Sequence, residues 1–294
     1  MFEGFLGNEE LKRDVARLLE SGRLPHAVGI CGKKGCGAGC FAKMLAAEYL
    51  SDVNGLVERG VHPDFIQLSG EGASGEIRIE SVREELYEIS LASVMTDGRR
   101  VIYIRHAGDL NESSANALLK AMEEPSPGVL FLLTAEEPEE LMETIRSRTA
   151  FYHVLPLDEK TCAAEILRRI PSCAAEDALK LTRVSGGRLG LALNVLRDKQ
   201  ASESFRSAEN FCVSALKRTR YDTMVWAASR TESRESYRAF LEMCSLYCGY
   251  LLREDPEKRE RISAVSEAVG EAYATANSVN LKLSAARLAA ASIR

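Results

Sequence analysis

The residues most suggestive of chemistry lie in the segment GKKGCGAGC, which begins at Gly32. A phosphate-binding loop has the pattern Gly, four variable residues, Gly, Lys, then Ser or Thr. Backbone N–H groups and the lysine bind the phosphates, and the hydroxyl binds Mg²⁺. Gly32 and Gly37 have the required separation, and Gly35 lies between them. Ala38 stands at the lysine position and Gly39 at the hydroxyl position, so the two side chains that perform the chemistry are missing.

The second half of such a site is a pair of carboxylates after a neighbouring hydrophobic strand, one to bind Mg²⁺ and one to orient water. The apolar segment 101–104 (VIYI) predicts that strand, but Arg105 and His106 follow it. We therefore expect no ATP hydrolysis by this chain. Weak binding of a nucleotide or another anion stays open because the loop keeps its N–H groups, and Arg105 could supply a replacement charge. The alternative is that 32–40 is only a glycine turn before a helix.

Metal ligation and nucleophilic catalysis receive no support from the sequence. None of the eight cysteines forms a C-x-x-C pair, so we expect free, buried thiols. They are Cys31, Cys36, Cys40, Cys162, Cys173, Cys212, Cys244 and Cys248. The four histidines are scattered, with no Ser/His/Asp or Cys/His arrangement around them. No metal site is predicted.

Length and charge limit the remaining possibilities. The chain has 294 residues, which favours two or three domains, and a formal charge of −5, which argues against a nucleic-acid surface over the whole chain. The local basic cluster 216–220 (LKRTR) is either a DNA contact or a solvated helix end. Residues 1–15 lack the basic lead and apolar core of a secretion signal, and no window approaches the ~18 apolar residues of a membrane span, so we expect a cytoplasmic protein.

Alternating apolar strands and amphipathic helices would position the loop. The sequence predicts strands over 27–32, 63–69, 99–108, 128–135 and 150–157. It predicts helices between Asn8, as the cap, and Gly22, and over 38–50, 79–90 and 111–125, the last capped by Asn111 or a serine. This alternation is typical of an α/β fold with a parallel sheet covered on both faces.

The pattern changes after Pro156, where short amphipathic helices follow one another without a strand. From about residue 203 the chain is almost entirely helical and rich in alanine. Met243, Leu246, Tyr247 and Tyr250 recur at helical spacing, which predicts a helix core rather than a ligand site. These changes divide the chain into 1–156, 157–202 and 203–294.

Four segments appear in the order and spacing of a known family: LPHAVGICGKKGCGAG, HPDF, NESSANALLKAMEEP and IRSRTAFYHVLPL. Over residues 4–200 the chain resembles bacterial clamp-loader subunits of the AAA+ ATPase class, and NALLKAMEEP matches their most specific motif. Among them it looks like the delta-prime type of DNA polymerase III, which keeps the fold without hydrolysing ATP. The resemblance implies an AAA+ core with a degenerate loop over 1–156, a helical lid and a helical collar that oligomerises.

The resemblance also assigns roles to individual residues. Ser147, Arg148 and Thr149 are similar to the family's Ser-Arg-Cys motif, whose arginine enters a neighbour's ATP site and stabilises the γ-phosphate charge. Arg148 would be that arginine finger, which requires the planar, permanently charged guanidinium. The alternative is an ordinary ion-paired surface arginine, and Arg146 is a second, less favoured finger. Arg188 lies in SGGRLGLAL, which resembles the family's nucleotide-sensing lid motif.

Two further features bear on partners and cofactors. Lys120, Glu123 and Glu124 form a charged helix face before Pro125, which either stabilises its own helix or, with Ser147, contacts a neighbouring subunit. The family's four-cysteine zinc module normally precedes the HPD segment, but SDVNGLVERGVHPDF contains no cysteine. The zinc module is therefore expected to be missing, and no cofactor is expected.

The function implied by the resemblance is that of a non-catalytic, stator-like component of the DNA polymerase III holoenzyme. Its partners would be the gamma/tau and delta clamp-loader subunits in a hetero-oligomeric ring, with the sliding clamp and primed DNA reached through the complex and no membrane involved. Two alternatives remain: a divergent gamma/tau-type ATPase, and an interaction protein outside replication that reuses the AAA+ scaffold.

Overall fold

The computed structural model describes residues 1–70, 77–80, 82 and 98–293. The chain divides into two compact units, Met1–Leu157 and Asp158–Arg294, which are taken in turn. The predicted helix over 79–90 lies mostly outside the described residues. The predicted subdivision of the second unit into 157–202 and 203–294 stays a prediction.

The first unit contains a five-stranded parallel sheet with the strand order β2-β3-β4-β1-β5. The strands are β1 (Ala27–Cys31), β2 (Phe65–Leu68), β3 (Arg100–Ile104), β4 (Val129–Ala135) and β5 (Ala150–His153). Every residue of β1, β3 and β4 is buried, which explains their nearly continuous apolar sequences. Each predicted strand is present and is shorter than predicted.

Helices cover the sheet in the first unit, and two buried apolar clusters fill the space around the strands. The helices are α1 (Glu9–Glu20), α2 (Ala38–Tyr49), α3 (Glu112–Glu123) and α4 (Glu143–Arg146). The Asn111 side chain accepts the Ser114 N–H and caps α3, as predicted. Asn8 is the N-cap residue of α1, as predicted, but its side chain makes no cap bond. Its amide instead exchanges two hydrogen bonds with the backbone of Leu155 (3.1 and 2.7 Å).

The described part of the second unit is entirely helical apart from turns. Its helices are α5 (Glu159–Arg169), α6 (Ala175–Ser185), α7 (Leu189–Arg197), α8 (Lys199–Leu216), α9 (Arg220–Ala228), α10 (Arg234–Glu254), α11 (Arg259–Thr275) and α12 (Leu281–Ser292). Met243 and Tyr247 of α10 are buried and Leu246 and Tyr250 are half-buried, so the stripe belongs to the helix packing. Within the described residues, no helix is long and apolar enough to cross a membrane.

All eight cysteines are free thiols, but they are not all buried. Five are buried, whereas Cys36 and Cys173 are half-buried and Cys40 is exposed on α2. The prediction of buried thiols was therefore wrong for Cys40, because the face of α2 that carries it points away from the apolar cluster containing Phe41 and Leu45.

Candidate functional site

The loop between β1 and α2 has backbone conformations and close contacts that require its glycines. Gly35 and Gly37 have φ angles of 93° and 103°, which residues with a side chain rarely adopt. A Cβ atom on Gly32 would lie 2.8 Å from the carbonyl oxygen of Val154, so a close approach of two backbones excludes a side chain there. No side chain caps α2 at Gly37, and a helix N-terminus of this kind suits an anion.

The hydroxyl position of the loop is occupied by a glycine that a buried tyrosine restricts. A Cβ atom on Gly39 would lie 3.2 Å from the Tyr103 hydroxyl oxygen. Tyr103 is 1% exposed, and its burial raises the pKa of the hydroxyl although a hydrogen bond with Thr134 acts in the opposite direction. A serine or threonine at position 39 would therefore crowd Tyr103.

The carboxylate positions after β3 are occupied by Arg105 and His106, and both are exposed. Arg105 donates its backbone N–H to Leu68 (2.9 Å), which continues the sheet by one residue. His106 has a φ of 54° and donates its N–H to the Thr134 hydroxyl (3.1 Å), so the chain turns away from the sheet there. Neither side chain is paired with a carboxylate among the described residues.

The structure places one residue of each altered half in the same cleft, whereas Ala38 and His106 are not among the residues that line it. Gly39, Tyr103 and Arg105 line one cleft of about 720 Å³, together with Lys43. Lys43 was not predicted from the sequence, although its position four residues after Gly39 puts it on the same side of α2. Where a nucleotide-hydrolysing site has a metal-binding hydroxyl and carboxylate, this cleft has a glycine and a guanidinium.

The cleft also contains three carboxylates from other segments, Glu3, Asp52 and Glu58. Burial acts to raise the pKa of Asp52, but N–H groups of Val57, Leu56 and Asn54 outweigh it and lower the pKa, because they bind the ionised form. Asp52 therefore stabilises its own turn. In the part of the chain that the structure describes, no three His, Cys, Asp or Glu side chains are arranged to hold a metal ion.

Lys33, in the variable part of the loop, is engaged elsewhere. Its ammonium lies 2.9 Å from the carboxylate of Glu137, just beyond β4. This hydrogen bond raises the pKa of Lys33 and lowers that of Glu137. The pair fastens the loop to the segment after β4, so Lys33 is not placed to replace the lysine missing at Ala38. Sequence spacing alone offered no signal for this pair.

The HPD segment has a structural role in this chain. His62 is buried, and its Nδ1 accepts the N–H of Asp64 (3.1 Å). Asp64 is fully buried and lies 3.6 Å from the Arg100 guanidinium at the start of β3. This ion pair was not foreseen, and it ties the segment before β2 to the adjacent strand. His62 is thus engaged in backbone packing rather than placed as a metal ligand.

Arg148 lies at the surface between α4 and β5, with 39% of its side chain exposed. Its Nη1 donates to the Thr144 carbonyl (3.0 Å) and to the Ser147 hydroxyl (3.3 Å). Its Nη2 donates to the Glu123 carboxylate at 2.9 Å. The structure therefore brings together Ser147, Arg148 and Glu123, three of the residues singled out from the sequence. An ion-paired surface arginine, the alternative interpretation, matches this geometry equally well.

The other predicted residues are not part of this cluster. Lys120 and Glu124 are exposed, and neither is ion-paired within the described residues. Arg146 is half-buried at the end of α4. Arg188 belongs to the second unit, where its Nε donates to the Ser185 carbonyl (2.7 Å), and its predicted role toward nucleotide stays a prediction.

Comparison with known proteins supports the resemblance. Residues 7–158 match the family model described as DNA polymerase III, delta subunit. The chain is 29% identical over 157 residues to DNA polymerase III subunit delta' of Escherichia coli (strain K12), covering 53% of this chain and 45% of that protein. It is 34% identical over 165 residues to the Pseudomonas aeruginosa subunit delta', covering 55% and 44%. The chain thus spans about half the length of these relatives.

Two further similarities concern the gamma and tau proteins. DNA polymerase III subunit tau/gamma of Haemophilus influenzae is 30% identical over 233 residues, covering 73% of this chain and 33% of that protein. A gamma subunit-related protein from Thermotoga maritima aligns in structure with a TM-score of 0.55 and 16% identity, covering 97% of this chain and 99% of that one. The structural likeness shows the fold alone, and it confirms the expected AAA+ fold class.

The family match includes the glycine loop, the whole five-stranded sheet and the Ser-Arg-Thr segment. The resemblance to delta-prime subunits, inferred from the sequence, is therefore confirmed. Since the match extends over more than half of its residues, the chain belongs to the DNA polymerase III delta subunit family.

Proposed function

We propose that this chain is a delta-prime-type subunit of a bacterial clamp loader, one that hydrolyses no ATP itself and presents Arg148 to the ATP site of a neighbouring subunit. The observation that carries the first part is the cleft lined by both Gly39 and Arg105, which stand where a hydrolysing site has the hydroxyl and the carboxylate that bind Mg²⁺. Its family relatives, named as subunits of DNA polymerase III, support membership of that holoenzyme.

Loss of hydrolysis follows from the four altered positions. Ala38 provides no charge for the phosphates, and Gly39 provides no ligand for Mg²⁺. Arg105 and His106 provide no carboxylate for the metal or the attacking water. Removing one preorganised electrostatic contact of this kind costs about 2.7–4 kcal/mol of barrier, so losing several leaves no useful rate. Weak anion binding at the N-terminus of α2 stays a prediction, and no cofactor or zinc site is proposed.

The finger role is supported by comparing the free energy of the Arg148–Glu123 ion pair with the free energy that a finger contributes to catalysis. An exposed ion pair such as Arg148–Glu123 contributes about 0–1 kcal/mol. An arginine finger supplied by a neighbour accelerates phosphoryl transfer about 10³–10⁵-fold, which corresponds to roughly 4–7 kcal/mol. The neighbour's phosphate could therefore displace Glu123 from the guanidinium. The short segment that carries Arg148 is held on both sides, by α4 and by β5, so little ordering is required.

The partners follow from this role. We propose the gamma/tau and delta clamp-loader subunits as direct neighbours, with Ser147, Lys120, Glu123 and Glu124 at the surface facing an ATPase subunit. The sliding clamp and primed DNA would be reached through the assembled ring. A divergent gamma-type ATPase is the second candidate because of the 30% identity to a tau/gamma protein, but Arg105 and His106 argue against it.

Assembly tests the proposal. The chain would be mixed with gamma/tau and delta subunits, and the mass of the complex would be measured by light scattering after size exclusion. We expect one defined complex that contains this chain and an isolated chain that releases no phosphate from Mg·ATP. Mg·ATP turnover by the isolated chain would favour the ATPase candidate. Failure to join any complex would favour an interaction protein outside replication.

A further inference from the structure

A basic segment of the second unit, residues 217–221, comprises the turn between α8 and α9 and the first two residues of α9, and is called the basic turn. Lys217, Arg218 and Arg220 are all exposed, and none of them is ion-paired within the part of the chain that the structure describes. Most of the cationic side chains around α5 and α6 have a carboxylate partner, as Arg168 and Arg183 do. In a chain with a formal charge of −5, the basic turn is a local concentration of uncompensated positive charge.

One residue of the turn, Arg218, has an unusual backbone conformation. Arg218 has a φ of 58°, in the left-handed region. Its N–H donates to the Ala215 carbonyl, and the N–H of Thr219 donates to the Ser214 carbonyl, both at 3.1 Å. This is the hydrogen-bond pattern that ends a helix with glycine, because glycine adopts the left-handed conformation without steric cost. An arginine kept in this conformation, with its side chain in solvent, favours a function for that side chain.

An aromatic side chain adjoins these charges. Tyr221 is 80% exposed, and Met224 and Val225, one turn further along α9, are 55% and 46% exposed. At spacings of three and four residues they lie on the same side of α9. An exposed aromatic ring beside several cations suits single-stranded nucleic acid, whose bases stack on the ring while its phosphates contact the cations.

The position of each cation shows whether its own helix stabilises the charge or whether a bound anion would be needed. Lys217 and Arg218 follow the C-terminus of α8, where cations are favoured by the helix dipole. A third cation, Arg261, contacts the C-terminal turn of α8, since its Nη2 donates to the Ala215 carbonyl (3.0 Å). Arg220, by contrast, is the first residue of α9, where a cation is unfavourable unless an anion is bound. Asp222 is the acidic residue nearest in sequence, and it is exposed without an ion pair among the described residues.

We propose that the basic turn is a binding site for single-stranded nucleic acid. Lys217, Arg218 and Arg220 contact the phosphates, and a base stacks on Tyr221. A protein partner with an acidic surface would use the charges but would not require the stacked ring. Its residues belong to the second unit, whereas Arg148 and the degenerate loop belong to the first, so the proposal stands or falls independently of the proposed clamp-loader role.

The test measures how a fluorescent oligothymidylate of about 20 nucleotides binds to the full chain. Fluorescence anisotropy gives the affinity at several salt concentrations between about 50 and 200 mM. Three phosphate contacts predict a slope of log affinity against log salt of about −2, since each contributes about 0.7 on a single strand. An oligouridylate should bind comparably because the site contacts phosphates and base faces. A duplex should bind more weakly because its bases are already stacked.

Two variants separate binding from folding. Arg218→Gly should weaken binding severalfold and reduce the slope by about 0.7, yet raise the thermal midpoint because it relieves the backbone strain. Tyr221→Ser should weaken binding about tenfold with the slope unchanged, because stacking is not ionic. Arg197→Ala, another exposed arginine at a helix end, is the matched control and should change nothing.

Three results would overturn the proposal. One is no oligonucleotide binding by the wild-type chain at the lowest salt concentration. Another is equal affinity of wild type, Arg218→Gly and Tyr221→Ser. The last is loss of binding to a partner subunit, but not to oligonucleotide, in Arg218→Gly, which would make the turn a protein-docking surface.

Discussion

Arg148 and Glu123, 25 residues apart in the sequence, are joined by an ion pair with 2.9 Å between Nη2 and Oε1. Glu123 is the last residue of α3, and Arg148 follows α4. The last residue of α3 therefore holds the proposed finger. Because both side chains stay partly exposed, 39% and 52%, the contact is one that an incoming anion can replace.

The first prediction concerns this pair. Glu123→Gln removes a carboxylate that competes with the neighbour's phosphate, so ATP turnover in the assembled complex should rise or stay level. The unfolding free energy should change by less than about 1 kcal/mol, as expected for an exposed pair. Glu20→Gln, at an exposed residue that ends α1 and is not ion-paired among the described residues, is the matched control. A fall in turnover as large as that of Arg148→Ala would instead show that Glu123 positions the finger.

The second prediction concerns repair of the loop. The double variant Ala38→Lys, Gly39→Thr should remain unable to hydrolyse Mg·ATP, because Arg105 and His106 still supply no carboxylate. It should also unfold at a lower temperature, since a side chain at position 39 crowds Tyr103 at 3.2 Å. Adding Tyr103→Phe should recover part of the loss. Phosphate release by the double variant would refute the assigned role of the carboxylate positions.

The third prediction concerns the centre of the sheet. A Cβ atom on Gly29 of β1 would lie 2.4 Å from the Phe151 ring on β5, so Gly29→Ala should destabilise the first unit by about 1–3 kcal/mol. Gly270→Ala in α11 is the matched control: nothing lies within 4 Å, and it should stabilise by roughly 0.5–1 kcal/mol. Chemical denaturation measures both. Equal effects of the two substitutions would contradict the packing described for Gly29.

The fourth prediction concerns acid stability of the second unit. Hydrogen bonds from Arg168, opposed by burial and reinforced by Arg169, lower the pKa of Glu165 to about 2 from 4.5. A lowered folded pKa gives stabilisation that is complete above about pH 4.5 and disappears as the pH falls toward 2. Glu165→Gln should therefore be less stable than wild type at pH 7, and the two should converge toward pH 2.

Denaturation monitored by the helical circular dichroism signal, at several pH values, checks this convergence. Glu267→Gln, at an exposed residue in the middle of α11 that is not ion-paired among the described residues, should show no such pH dependence. A difference between wild type and Glu165→Gln that stays constant from pH 7 to about pH 2 would refute the linkage.

The sequence predicts the strands well because buried parallel strands are nearly continuous apolar segments. It predicts the Asn111 cap but not the role of the Asn8 side chain, since a cap bond depends on the direction from which the chain enters the helix. Asn8 is in a left-handed conformation and bonds with Leu155, 147 residues away. A contact of that separation leaves no local pattern.

The candidate site was predictable by composition but not by geometry. The residue types alone show that positions 38, 39, 105 and 106 lack the lysine, the hydroxyl and the carboxylates. The ion pairs Lys33–Glu137 and Arg148–Glu123 join segments that only the folded sheet brings together. The same is true of Tyr103, whose hydroxyl limits position 39 from a different strand.

The most direct test of the central claim is ATP hydrolysis by gamma/tau and delta subunits with clamp and primed DNA, after adding this chain as wild type, Arg148→Ala or Arg146→Ala. If Arg148 is the finger, wild type and Arg146→Ala should stimulate turnover. Arg148→Ala should assemble but lose stimulation at the adjacent ATP site, where a finger contributes about 10³–10⁵-fold. Equal stimulation by wild type and Arg148→Ala would contradict the finger.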